Sequence, residues 1–336
     1  MSPPDPSPPP KSPIPESWKR GTRFLGSRHA ILGGAMAWLS EHNLVSAISE
    51  AGGFGVLASG NMPPAKLRQE IQATRARTAN PFGVNLITLN PELPELLRVA
   101  IEERVSHCVL AGGLPDQPTI DALKQANIKV ILFAPSLALA KRLLKRGADA
   151  LIIEGHEAGG HVGPVSTSVL VQEILPHLEE VPVFAAGGIA NGKMVAALVA
   201  MGAAGCQLGT RFVVAHECIA HANFKNAFLR AQSRDAQVTA QFDSVLPVIP
   251  VRALVNKGTQ NFNSLQLRLI QEVKAGTKEK KAAQLELEHF WVGALKRAAI
   301  DGDVENGSVM AGQSVGLVNS AQSVGAIMEE LTSLLR

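Results

Sequence analysis

The chain has 336 residues, 46% of them hydrophobic, enough to bury one large core or two moderate ones, which excludes disorder along its whole length. Its 32 Lys and Arg face 29 Asp and Glu, and a net charge of +3 is too small for a general nucleic-acid-binding surface. The three cysteines, Cys108, Cys206 and Cys218, contain no CxxC pair, so neither a disulfide scaffold nor a zinc ribbon is indicated and a reduced cytoplasm is the expected compartment. The longest apolar stretches, such as Val195 to Cys206, are broken by glycine and fall short of the roughly 20 residues a membrane helix needs. Neither nucleic acid nor a membrane is expected as a partner.

In chain order, the first 17 residues hold eight of the 21 prolines and no apolar run, so residues 1–27 read as a disordered tail without a signal peptide's hydrophobic region. Short apolar or β-branched runs then alternate with longer helical patterns, the mark of βαβ units. The expected strands are Ala30 to Ala35, Phe54 to Ala58, Phe82 to Leu86, His107 to Ala111, Val130 to Phe133, Ala150 to Ile153, Val183 to Ala186 and Gly205 to Leu208. Amphipathic stretches lie between them, among them Leu44 to Glu50, Ala65 to Arg77, Glu92 to Glu103, Leu137 to Arg146 and Val169 to Leu178. Eight such units predict an α/β fold of the TIM (β/α)8 class over residues 28–215 rather than a doubly wound sheet. Residues 216–290, rich in Lys, Gln and Glu, are expected to form a mainly helical lid over the barrel mouth, with 291–336 returning to the barrel. The cluster Lys278 to Lys281 reads as a solvated helix face.

The chemistry concentrates in two blocks. In Val183 to Phe212, two successive strands end in Gly187-Gly188 and Gly209-Thr210, each leading into a helix. Free backbone N–H groups and the helix dipole favour an anion there, and glycine lets the backbone approach it closely. Gly187 to Met194 spells GxxxxGKM, one hydroxyl short of a P-loop; Met194 cannot bind magnesium, so triphosphate hydrolysis is set aside. The second block, Ile152 to Gly163 (IIEGHEAGGHVG), follows the sixth strand and delivers Glu154, His156, Glu157 and His161 to the catalytic face. His161, on a glycine-rich loop, is placed to act as general acid or base near neutral pH. His156 is expected to point to solvent. The spacing from His156 to His161 is five, not the four of an HExxH helix, so no metal site is expected. Asn85, ending the third strand, and Gln313, in the late segment Gly307 to Gln313, each offer an amide donor and acceptor to a ligand edge.

These blocks in this order resemble the nitronate monooxygenase family, formerly 2-nitropropane dioxygenases, and its relative the flavin-dependent enoyl-acyl-carrier-protein reductase II. The similarity covers about residues 28–336, through GGAMAW, AGGFGVLASGNMP, PFGVN, EGHEAGGHVG, AAGGIANGK, QLGTRFVVAHE and GDVENGSVMAGQSVGLV. The resemblance implies a TIM barrel holding one FMN, its phosphate on Gly187, Gly188, Gly209 and Thr210, with Asn85 by the ring and Gly34, Ala35 and Met36 beneath it. The remaining positions it implies around the cofactor are Glu154, Gly159, Gly160, Ala186, Gln207, Met310 and Gln313, and it makes His161 the catalytic residue. GGAMAW and GDVENGSVMAGQ lean toward the reductase, while the continuation Leu39-Ser40-Glu41 departs from parts of both patterns. Two activities follow: oxidation of alkyl nitronates with O2, or NAD(P)H-dependent reduction of enoyl thioesters or quinones. A non-enzymatic barrel that binds a phosphate ligand is the remote alternative.

Overall fold

A computed structural model describes residues 14–335. Eight parallel strands form the central sheet: β1 (Ile31–Gly33), β2 (Val56–Ala58), β3 (Gly83–Ile87), β4 (His107–Ala111), β5 (Lys129–Phe133), β6 (Ala150–Glu154), β8 (Val183–Ala186) and β9 (Gly205–Leu208). Their order is β1-β9-β8-β6-β5-β4-β3-β2. The sheet curls until its two edges meet, where Phe54 pairs with Leu32 just before β2 and the Gly33 N–H donates to the Phe54 carbonyl at 3.0 Å. This is a TIM barrel with helices around it. β4, β8 and β9 cover the expected residues, and the other five strands differ at their ends by no more than two. Strands covered on both faces need continuous apolar runs, which is why such short segments are legible in the sequence.

Residues 1–13 of the expected disordered tail lie outside the described residues. Residues 16–25 correct the rest of that expectation, because Glu16–Leu25 is a helix that buries Trp18, Gly21 and Leu25. It closes the N-terminal end of the barrel. A Cβ on Gly21 would overlap the Ala204 carbonyl. The Phe24 carbonyl accepts from the Lys129 ammonium at 2.8 Å and from His107 Nε2 at 3.0 Å, both at the starts of strands. Burial pushes the His107 imidazole down to about 4, so it sits there neutral and its donated proton occupies Nε2.

The segment after β9 is not helical alone. Strands β10 (Ala236–Val238) and β11 (Val251–Leu254) pair antiparallel, and β11 also pairs with β7, the two residues Gly160–His161. Beside this small sheet the helices Lys257–Lys274 and Lys280–Ala299 enclose their own apolar cluster, in which the Phe262 and Trp291 rings lie 4.1 Å apart. Met310 packs against both this cluster and the barrel core. The final helix, Val324–Thr332, returns to the barrel, where Glu330 accepts the Gly192 N–H at 3.0 Å.

Candidate active site

The C-terminal ends of β6, β8 and β9 carry the residues that converge. Gly187 and Gly188 follow β8 with φ of +90° and +73°, a left-handed conformation that β-carbon sterics disfavour. A Cβ on Gly187 would lie 2.8 Å from the Gly155 carbonyl oxygen, and one on Gly188 3.1 Å from the Glu157 Cβ. The N–H groups of Gly187, Gly188, Gly209 and Thr210 have no acceptor among the described residues. Unpaired N–H groups at two neighbouring strand ends are donors of the kind that favour an anion.

A cleft of about 340 Å³ opens at these strand ends, lined by Gly187, Gly188 and Gln313 and also by Glu157, Thr167, Ser233, Arg234 and Ser314. Glu157 is held in place: Thr167 N–H donates to its carboxylate at 2.9 Å, and its own carbonyl accepts the Gln313 N–H at 2.9 Å. Gly209 and Thr210 do not line the cleft themselves. They join its wall through the Thr210 hydroxyl, which accepts the Gly312 N–H at 3.0 Å and keeps its own proton free to donate. Gly34 lies against β9, its N–H on the Leu208 carbonyl at 2.8 Å, and half-buried Ala35 and Met36 follow it, with Met36 Sδ 3.5 Å from where a Gly209 Cβ would stand. Ala186 and Gln207 are buried and directly paired between β8 and β9.

Gly159 passes so close to the late segment that a Cβ would come within 2.6 Å of the Gly312 nitrogen; Gly160, at φ +78°, places its own Cβ position 3.8 Å from Met310 Sδ. Asn85 is 5% exposed and donates through Nδ2 to the Val109 carbonyl at 2.9 Å, which fixes the amide plane and leaves Oδ1 unpaired among the described residues. Glu154 ends β6 with no hydrogen-bond or ionic partner among the described residues, and desolvation pushes its carboxyl up to about 7.

His161 is half-exposed at the mouth. Its backbone is fixed by antiparallel pairing with Val251, and its Nε2 lies 3.3 Å from Glu288 Oε2 on the helix Lys280–Ala299. His156 corrects the expectation that it points to solvent: its ring nitrogen Nδ1 donates to the Gly163 carbonyl at 2.8 Å, inside the loop. Arg252, 3% exposed, fastens the same loop by donating from Nε and Nη2 to the His156 carbonyl at 3.2 and 3.1 Å, and from Nη1 to the Ala236 carbonyl at 2.5 Å. Arg234, Arg252 and Glu288 lie outside every sequence motif. Their only signal is charge within a segment of unremarkable composition, so sequence reasoning misses them.

Fold and site together define an α/β barrel whose β8 and β9 ends carry unpaired N–H groups next to a cleft, with His161 on the loop that pairs with β11. The chain belongs to the nitronate monooxygenase family, whose model matches residues 19–333. That family is one of oxidoreductases, and its members are generally flavin enzymes. The chain is 32% identical to a (3aS,4S,5R,7aS)-5-hydroxy-7a-methyl-1-oxo-octahydro-1H-indene-4-carboxyl-CoA dehydrogenase of Rhodococcus jostii, over 89% of this chain and 90% of that one. Among solved structures it is similar to FabK from Thermotoga maritima, with TM-score 0.83 and 38% identity over 94% of this chain and 95% of the other. It is also similar to a nitroalkane oxidase from Streptomyces ansochromogenes, with TM-score 0.76 and 26% identity over 92% and 96% of the two chains.

Proposed function

We propose that the protein is an FMN-dependent oxidoreductase that oxidises alkyl nitronates with O2, with His161 as the proton-transfer group. The observation that carries this reading is the cradle of four unpaired N–H groups at two adjacent strand ends, on the same face of the barrel as His161. The residues present fit FMN: the positive-φ glycines leave room where any Cβ would intrude, and the Thr210 hydroxyl adds a donor. Gly187, Gly188, Gly209 and Thr210 would hold the phosphate, Gly34 to Met36 and Asn85 would meet the ring, and bound FMN supplies the electron-transfer chemistry. Glu154, Gly159, Gly160, Ala186, Gln207, Met310 and Gln313 complete the proposed surround.

In this reading His161 Nε2 keeps its proton toward Glu288, and Nδ1 is the atom that accepts a carbon-bound proton from a neutral nitroalkane. Residues 216–290 act as a lid through β11 and the helix Lys280–Ala299, which hold the histidine from the side opposite the barrel.

A second reading is favoured by the relatives, one named for a carboxyl-CoA dehydrogenase and one as FabK. There the same imidazole works in reverse, delivering a proton to the carbon next to a thioester carbonyl, with NAD(P)H as cosubstrate. Side-by-side assays decide: O2 consumption with propionate 3-nitronate against NADPH oxidation with a crotonyl thioester or a quinone. Nitronate turnover without pyridine nucleotide supports the first reading, and thioester-dependent NADPH oxidation alone replaces it with the second. The protein is proposed to work in the cytoplasm.

A further inference from the structure

Arg234 stands on the short 3₁₀ turn Ser233–Asp235, between the helix Ala222–Arg230 and β10, yet it lines the same cleft as Gly187 and Gly188. Its guanidinium makes no hydrogen bond or ion pair among the described residues. The turn that carries it is held firmly. Asp235 and Gln232 bond reciprocally, at 2.8 Å from the Gln232 N–H to the Asp235 carboxylate and 2.9 Å from the Asp235 N–H to the Gln232 carbonyl. The Asp235 carbonyl accepts the Val255 N–H at 3.2 Å, just past β11. On its other side the turn presses against the segment Gln313–Leu317, where a Cβ on Gly316 would come 2.5 Å from both the nitrogen and the hydroxyl of Ser233.

The charge balance of the cleft gives this arginine a purpose. A phosphomonoester carries about −1.5 to −2 at pH 7, and the other ionisable side chain in the cleft wall is Glu157, an acid whose carboxylate faces the Thr167 N–H. Backbone N–H dipoles alone would have to offset both charges. A guanidinium presents planar, paired donors that match two phosphate oxygens, and it is never deprotonated in this range.

We infer that Arg234 closes the phosphate end of the cleft and makes the site discriminate FMN from riboflavin. This rests on the FMN reading above. It assigns to the segment after the barrel a part in cofactor choice, beyond covering the mouth, and it gives Gly316 the role of letting the turn approach.

The test is flavin binding, independent of turnover. Flavin-free protein, prepared from wild type, Arg234→Gln, Arg234→Lys and Gly316→Ala, is titrated with FMN and with riboflavin by fluorescence quenching, with circular dichroism confirming the fold of each. We expect wild type to prefer FMN. Arg234→Gln should lose about 10- to 100-fold in FMN affinity, the range for a lost charged hydrogen bond, with riboflavin affinity unchanged within about twofold. Arg234→Lys should fall between, and Gly316→Ala should weaken FMN in the same direction. Wild type binding neither flavin would overturn the FMN reading and this inference with it. Wild type preferring FMN while Arg234→Gln retains the same FMN-to-riboflavin ratio would overturn the inference alone. An Arg234→Gln effect on adenosine 2′,5′-bisphosphate but not on FMN would give the arginine to a cosubstrate phosphate and overturn it equally.

Discussion

Gly187→Ala probes the anion cradle at the position where the structure allows least. The residue sits at φ +90°, where a Cβ costs about 1–2 kcal/mol from backbone sterics alone. The added methyl would also stand 2.8 Å from the Gly155 carbonyl oxygen and 3.1 Å from the Gly155 nitrogen, groups held by the bond from Gly155 N–H to the Ala186 carbonyl at 3.0 Å. Neither can retreat without opening the contact between β6 and β8, so overpacking adds about 1–3 kcal/mol. The expected loss is therefore about 2–5 kcal/mol in chemical denaturation of the flavin-free protein, with a further fall in FMN retention because the Gly187 N–H is displaced. Gly163→Ala is the control: it lies on the neighbouring loop, and a Cβ there meets nothing within 4 Å. If Gly187→Ala unfolds at the same denaturant concentration as Gly163→Ala and keeps as much FMN, the steric account of this strand end is wrong.

His161→Asn should retain bound flavin and lower turnover by about two to four orders of magnitude, the usual cost of removing a positioned general acid or base, as steady-state rates on a neutral nitroalkane and on thioester substrates will show, while the nitronate anion, already deprotonated, should lose far less. His156→Ala should leave the chemistry intact, and limited proteolysis should detect loosening of its loop, since the ring's bond to Gly163 is lost. Glu154 binds its proton more tightly folded than unfolded, its carboxyl being pushed from 4.5 up to about 7. Its contribution to stability is therefore fully present below about pH 4.5 and is lost as pH rises toward 7. Glu154→Gln should remove a slope worth on the order of 1–3 kcal/mol across that window, measured by denaturation of flavin-free protein at several pH values. Burial pushes the Cys108 thiol up to about 12 and raises Cys206 further, so a thiol reagent at pH 8 should label neither until the protein is unfolded.

The barrel was legible because each parallel strand is buried on both faces and so announces itself as an apolar run; β4, covering His107 to Ala111, is readable although it is flanked by an exposed serine and two glycines. The helix Glu16–Leu25 was not, since only Trp18, Gly21 and Leu25 face the core and the prolines before it dominate the local composition. β7 is two residues long, too short to show any period, and exists because β11 supplies its partner from 90 residues later. In the site, the glycine-rich strand ends were visible because tight geometry restricts the residue type. Arg234 and Glu288 were invisible because any sequence position can carry a charge. What makes them part of the site is the path of the segment after β9, and no local pattern records that path.

Flavin content and identity in the purified protein separate an FMN enzyme from an empty barrel. The cofactor is released by heat, identified by mass and quantified against protein by absorbance. A yellow protein releasing about one FMN per chain, or flavin-free protein taking up added FMN to that ratio, is the expected result, because a single terminal phosphate is what the site proposed at Gly187, Gly188, Gly209 and Thr210 would receive. A colourless protein that takes up no added FMN, or one that releases FAD alone, would contradict it.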